Sequence, residues 1–402
     1  MVVGSVLLSL SVTFLALAIL LSSNEFSPKE YSLPPPPELT GPLAVKGNEI
    51  KGEVRLLEGQ VPGPESIVVE KDALYTCLGD GRCVKISIKD NKILKTVRLT
   101  SHTGCNGKLS TIGYCGRPLG LRRYNQNLFT VADAILGIYN VNFEKETSEV
   151  IISSEMKVDG TKITFPDDFD YLDNDTIVFS DASTRYPFQL FIVSFLEHQS
   201  DGRWVINILA FYISIFSVIQ CKLSTHECHT LYDGLNFANG VQVHPDKQSI
   251  LVSESAGARI HRYYFTGPKK GRREIFAENL PGFPDNVRTS KNGKSIYVAL
   301  FAYRGNDQPS FFDQTARHPW IRKIVGTMVQ ILPEPLVHRA FSMTTAAHGV
   351  VVELDLTGKI IKSYHDTEGK VIQSISEVQD DGDKYLYLGS FSNKYIGRIM
   401  KY

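Results

Sequence analysis

Oxygen-bearing side chains recur along this sequence: Glu65, the pair Asp167 and Asp168, Asn239, and the pair Asp285 and Asn286. Carboxylates and amide carbonyls are the hard ligands that calcium takes in sets of six to eight. Gathered at one point, these residues would hold one such ion. The plainer reading of each is a polar residue that caps a strand and satisfies backbone groups. Six cysteines form three neighbouring pairs, Cys77/Cys83, Cys105/Cys115 and Cys221/Cys228, a spacing that predicts three local disulfides in an oxidising compartment. A zinc site would need a CxxC spacing, and none is present. Asn174-Asp175-Thr176 is an acceptor sequon that makes Asn174 a candidate glycosylation site.

What must position the oxygen ligands is a repeat. Six times a polar residue precedes a short apolar strand, a turn rich in Asp, Asn, Gly or Lys, and a second apolar strand. The leading residues Glu65, Arg117, Asp168, Asn239, Asp285 and Glu377 are separated by 52, 51, 71, 46 and 92 positions. Two intervals therefore carry insertions, and the others fit one four-stranded blade each. The period-two pattern argues for antiparallel sheet, and the expected fold is an all-β, six-bladed β-propeller over residues 41–402. A pair of β-sandwiches would not explain a polar residue at the start of the same strand six times. In a propeller those strands converge on the central channel.

Composition bounds the partners. Lys+Arg and Asp+Glu stand at 43 each in 402 residues, so a nucleic-acid partner recruited by bulk positive charge is not expected. Residues 1–23 carry no charged side chain and are long enough to span about 30 Å of hydrocarbon. They are read as one N-terminal transmembrane helix, an uncleaved signal-anchor in preference to a cleaved signal peptide. The chain is then a single-pass membrane protein of the secretory pathway or plasma membrane with its propeller luminal or extracellular. Residues 24–40, with Pro34-Pro35-Pro36-Pro37, are expected to form a stiff extended stalk.

Several segments together resemble the strictosidine-synthase-like family: Gly63-Pro64-Glu65-Ser66-Ile67, Cys115-Gly116-Arg117-Pro118-Leu119-Gly120-Leu121, Phe179-Ser180-Asp181, Phe237-Ala238-Asn239-Gly240-Val241, Ala258-Arg259-Ile260 and Leu280-Pro281-Gly282-Phe283-Pro284-Asp285-Asn286. The likeness is to a membrane-anchored animal subgroup and extends over the body from Gly41 to Tyr402. The family is six-bladed and distantly related to paraoxonases and gluconolactonases, which are calcium-dependent hydrolases of esters and lactones. By that resemblance Glu65, Asp167, Asn239, Asp285 and Asn286 match calcium-ligand positions, with Asp167 replacing a usual Asn. Paraoxonases carry a histidine where this chain has Leu119. Asp168 is the nearest substitute as proton acceptor, because paired carboxylates push one pKa upward. Glu377 matches approximately the glutamate that strictosidine synthases use as acid/base in condensing an amine with an aldehyde. His348, at the start of an apolar strand, is read as structural.

The resemblance lapses in two places. Residues 204–217, WVINILAFYISIFS, are surplus to the family pattern and are read as an anomalous apolar insertion, set against a splice artefact. Residues 303–345 hold an insertion in which Trp320, Ile321, Ile324, Val325, Met328 and Ile331 recur at helical spacing. The helix is expected to pack on the body, with a channel lid or a membrane contact through Arg317, Arg322 and Lys323 as the sharper readings. The expected function is calcium-dependent hydrolysis of a small aryl ester or lactone. A non-catalytic cell-surface propeller is the alternative, and strictosidine-type condensation ranks below both.

Overall fold

The computed structural model describes residues 26–198, 217–334, 336–337 and 346–402. The apolar stretch at residues 1–23 and all but the last residue of the 204–217 run lie outside the described residues; Ser217 opens a strand. Among the described residues no helix is long and apolar enough to cross a membrane.

Six four-stranded antiparallel sheets make the body. The inner strands are Ile67–Val69, Pro118–Arg123, Pro166–Tyr171, Ala238–Val243, Gly282–Thr289 and Glu377–Asp380. Blade 6 takes its outermost strand, Val54–Leu56, from the start of the body, paired with Ile396–Met400. This joins the two ends of the propeller and leaves no open seam. The turns form where the sequence supplies turn chemistry: in Lys291-Asn292-Gly293 the Asn292 side chain accepts from Lys294 N at 2.9 Å and Gly293 takes φ 70°.

Two disulfides tie adjacent strands, Cys77–Cys83 in blade 1 and Cys221–Cys228 in blade 3, while Cys105–Cys115 anchors a loop to the Leu109–Cys115 helix. The Cys221 and Cys228 backbones face each other in register, as the hairpin spacing predicts.

Both long intervals fall between the second and third strands of a blade, after Asp181 in blade 3 and after Tyr303 in blade 5. Strand direction alternates, so both insertions emerge on the face where the inner strands begin. There the Phe191–Glu197 helix packs against the Pro319–Ile331 helix. Asn174, in the turn between the first two strands of blade 3, is exposed on the opposite face.

Residues 26–40 do not stand off as a stalk. Lys29 N donates to Glu197 O, Tyr31 N to Ala316 O, and the carbonyls of Pro34 and Pro35 accept from Arg304 and Asn279. Proline leaves carbonyls without matching N–H groups, and here side chains of the body take them up.

Candidate metal centre in the channel

The site is built by a backbone irregularity repeated around the ring. In blades 3, 4 and 5 the inner strand carries one extra residue relative to its neighbour, between Pro166 and Phe169, Ala238 and Val241, and Pro284 and Val287. Such β-bulges re-aim side chains. The first residue of each bulge, Asp167, Asn239 or Asp285, lines a cavity at the mouth of the channel, joined by Glu65 from the edge of blade 1. In blade 2 the corresponding residue is Leu119. Glycines let adjacent bulges close up: an ideal Cβ on Gly240 would sit 2.5 Å from Asp285 O, and one on Gly120 would sit 2.8 Å from Asp167 O.

Carboxylate oxygens of Glu65, Asp167 and Asp285 lie within 4.8 Å of one another, all three residues buried. Glu65 Oε2, Asp167 Oδ1, Asn239 Oδ1, Asp285 Oδ1 and Asn286 Oδ1 are buried without a hydrogen-bond partner. Orphaned buried oxygens are costly and point to a missing cation or proton. Asn286 does not line the cavity, so four of the five sequence-predicted ligands face it. The cation nearest Glu65 Oε2 is Arg117 Nη2 at 4.0 Å. Burial pushes the Glu65 carboxyl up to about 8, with Arg117 opposing the rise. Burial also raises Asp167 and Asp285 well above the usual range, and the charge of Glu65 adds to both shifts. This donor set, hard oxygens crowded with like charge, fits a divalent cation such as calcium.

Asp168 and Glu377 do not reach the cavity. The strand pleat turns Asp168 away from Asp167, and Arg288 bridges the two acids, with Nη1 2.7 Å from Asp168 Oδ2 and Nη2 2.6 Å from Glu377 Oε2. Arg122 and Val241 N also donate to Asp168, at 3.3 and 2.9 Å. Burial pushes Asp168 up, yet Arg122 and Arg288 outweigh it and hold the carboxyl below its ordinary value. The expected upward shift falls on Asp167 instead, where burial and then the charges of Glu65 and Asp168 outweigh the opposing Arg288 and Arg117. Glu377 is raised, by burial above all. His348 Nε2 lies 2.9 Å from His365 Nδ1, and neither ring lines the cavity.

The apolar wall was not foreseen. Seven phenylalanines and Leu119 complete the lining. Phe165 and Phe237 stand two residues before Asp167 and Asn239, and Phe283, in the same position before Asp285, packs behind them. That regular spacing was a readable signal. Phe188, Phe191 and Phe195 come from the blade 3 insertion, and Phe195 sits edge-on to Phe237, Phe283 and Phe301 at centroid distances of 5.7, 5.3 and 5.5 Å. The space open to the centre of a water molecule is about 40 Å³, enough for an ion with a few waters. Arg117, placed in blade 2 where these phenylalanines stand in others, reaches Phe391 O at 2.5 Å.

A strictosidine synthase family profile matches residues 167–268. The adipocyte plasma membrane-associated protein of Gallus gallus is 35% identical over 398 residues, covering 97% of this chain and 88% of that protein. Its Homo sapiens counterpart is 32% identical over 397 residues, covering 97% and 87%. Among solved structures, a gluconolactonase of Xanthomonas campestris superposes with a TM-score of 0.55 at 14% identity, covering 94% of this chain and 99% of its own. Regucalcin of Agrobacterium tumefaciens, a calcium-binding protein, gives 0.52 at 8% identity, covering 86% and 94%. At these identities the likeness to solved structures concerns the fold.

Proposed function

Because the chain belongs to the adipocyte plasma membrane-associated protein family of strictosidine-synthase-like propellers, we propose that it is a membrane-tethered, calcium-dependent hydrolase of aryl esters or lactones. The observation that carries this reading is the ring of buried, unpartnered oxygens from Glu65, Asp167, Asn239 and Asp285 beneath an aromatic wall. Calcium bound there would supply a Lewis acid for an ester carbonyl oxygen. Glu65, Asp167, Asn239 and Asp285 would hold it.

Phe165, Phe188, Phe191 and Phe237 receive the apolar part of the substrate and exclude water, which strengthens charge interactions at the reacting carbonyl. Neither Asp168 nor Glu377 serves as base, since Arg288 occupies both. The proton of the attacking water passes to a ring carboxylate, and Asp167, which lines the cavity, is the acceptor we assign. The same pairing of Glu377 with Arg288 argues against amine–aldehyde condensation. Residues 1–23 provide the tether, in keeping with the plasma-membrane name of the relatives, and Asn174 is positioned to carry a glycan.

Leu119 favours a second reading, a non-catalytic calcium-holding propeller that binds partners at the cell surface, because no imidazole faces the cavity among the described residues. Turnover of phenyl acetate and dihydrocoumarin by the purified protein separates the two. Hydrolysis lost on chelation and in Asp285→Ala supports the enzyme; calcium binding with background turnover supports the binding module.

A further inference from the structure

The Pro319–Ile331 helix is amphipathic in the unexpected sense. Its charged Arg322 faces the body and is fully buried, with Nε on Thr315 O at 3.1 Å, Nη1 on Leu196 O at 2.6 Å, and Nη2 on Lys29 O and Ala316 O. Val325 and Val329 pack into the phenylalanine cluster. The opposite side is also apolar. Trp320, Ile324, Met328 and Ile331 follow one another at helical spacing, and Trp320, Met328 and Ile331 are 63%, 46% and 61% exposed. Leu332 and Leu336 extend the stripe at 38% and 50%. The expectation that Arg322 and Lys323 reach outward fails: Arg322 is the clamp just described, and Lys323 Nζ donates to Phe26 O.

Where the chain enters says what covers this stripe. Phe26 is buried beneath the helix, close enough that an ideal Cβ on Gly326 would sit 2.2 Å from its ring. Lys29 is fixed by Arg322. The uncharged residues 1–23 end three positions before Phe26, so the described chain begins against the same helix that carries the exposed stripe. The sequon residue Asn174 lies on the far face, where a glycan would not obstruct the stripe.

We propose that the Trp320–Ile331 stripe, with Leu332 and Leu336, lies on the lipid bilayer surface, so that the propeller is held with its cavity-bearing face toward the membrane. Trp320 sits at headgroup level, where indole rings are favoured, and Met328 and Ile331 enter the acyl boundary. The inference rests on the tether proposed above and is independent of metal or hydrolysis.

All six cysteines are in disulfides, so Met328→Cys, Ile331→Cys or the exposed control Leu94→Cys each gives one free thiol for an environment-sensitive dye. The full chain is reconstituted in phosphatidylcholine vesicles with or without lipid bearing a nitroxide on its acyl chain. The dye at positions 328 and 331 is expected to shift to the blue and to be quenched about twofold by the nitroxide, as for a group ~5–10 Å into the interface, and the dye at 94 to be unaffected. Vesicle-bound protein with wet, unquenched dye at both positions overturns the proposal. So does dye that is dry yet unquenched in a cross-linkable dimer, which assigns the stripe to a second copy. Protein released from vesicles by alkaline wash instead refutes the tether.

Discussion

Asp285→Asn tests the metal centre most directly, because structural and metal-binding roles for this residue predict opposite signs. In the metal-free protein Asp285 Oδ1 has no partner, and the carboxyl is raised by burial and then by Glu65 and Asp167. Replacing it by the isosteric amide removes a carboxyl that the crowded layer can keep only by holding it protonated, so the metal-free variant should melt at or above the wild type. Calcium reverses the order. At a hundred times its Kd, calcium stabilises the wild type by about 2.7 kcal/mol. An unfolding entropy of about 2.1 cal/mol/K per residue over roughly 360 folded residues gives about 0.75 kcal/mol/K, so the wild-type Tm rises by about 3–4 °C. If losing one carboxylate ligand weakens binding about a hundredfold, the same calcium concentration stabilises the variant by only about 0.4 kcal/mol, or roughly half a degree. Differential scanning fluorimetry with chelator and with calcium reads all four values. A variant that keeps the full calcium rise, or whose metal-free form melts several degrees below the wild type, refutes the assignment.

Three further outcomes follow from the same geometry. Glu65 has a folded pKa of about 8, above its unfolded value, and Asp167 and Asp285 are raised as well. The contribution of these groups to the stability of the metal-free fold is full below the usual carboxylate range and is lost as pH rises through about 8, by up to tenfold in the folding equilibrium per pH unit and proton. Calcium, which displaces those protons, should therefore raise Tm more near pH 8 than near pH 6; equal increments would contradict it. Leu119→His places an imidazole against the ring, and since a general base is worth roughly 10²–10⁴-fold, kcat/KM for phenyl acetate should rise at least about tenfold; an unchanged value means the proton already has an adequate acceptor. Arg288→Met leaves Asp168 and Glu377 buried without their shared cation and should cost about 3–5 kcal/mol in urea unfolding, with partial rescue by adding Asp168→Asn and Glu377→Gln; a loss below about 1 kcal/mol shows the pair is not stabilising.

The blades were readable because each strand–turn–strand unit carries its own signal, apolar alternation broken by residues such as Asn292-Gly293. The ring was readable for a related reason: Glu65, Asp167, Asn239 and Asp285 share a place in the unit, and closure of the propeller brings equal places together. Which of two adjacent residues turns inward was not readable. Asp167 and Asp168 both fall in the bulge between Pro166 and Phe169, and that bulge is a property of strand register. Nor could the sequence assign a partner to Arg288, whose acids lie 120 residues before it and 89 after it. In the Pro319–Ile331 helix the periodicity was correct, but an apolar stripe does not say which side meets the body. Arg322 settles that by finding four carbonyls on the inside.

The two levels of the channel differ in how their charge is balanced, and this explains why the acids play different parts. Below the cavity, Asp168 and Glu377 share Arg288, and Arg122 adds a second cation, so the acids there are matched by fixed positive charge. At the cavity, Arg117 is the one cation within 4.0 Å of Glu65, Asp167 or Asp285 among the described residues, and Arg288, already shared by the lower acids, acts on Glu65 and Asp167 only from a distance. Fully ionised, that level carries three negative charges against one positive, a deficit equal to one divalent ion. The raised carboxyls are the metal-free route to the same balance, in which protons occupy sites a cation would empty. A structural cluster would have been neutralised by another arginine, as the lower one is; at this level Leu119 and the phenylalanines supply no charge, and the balance is left to something that enters from outside.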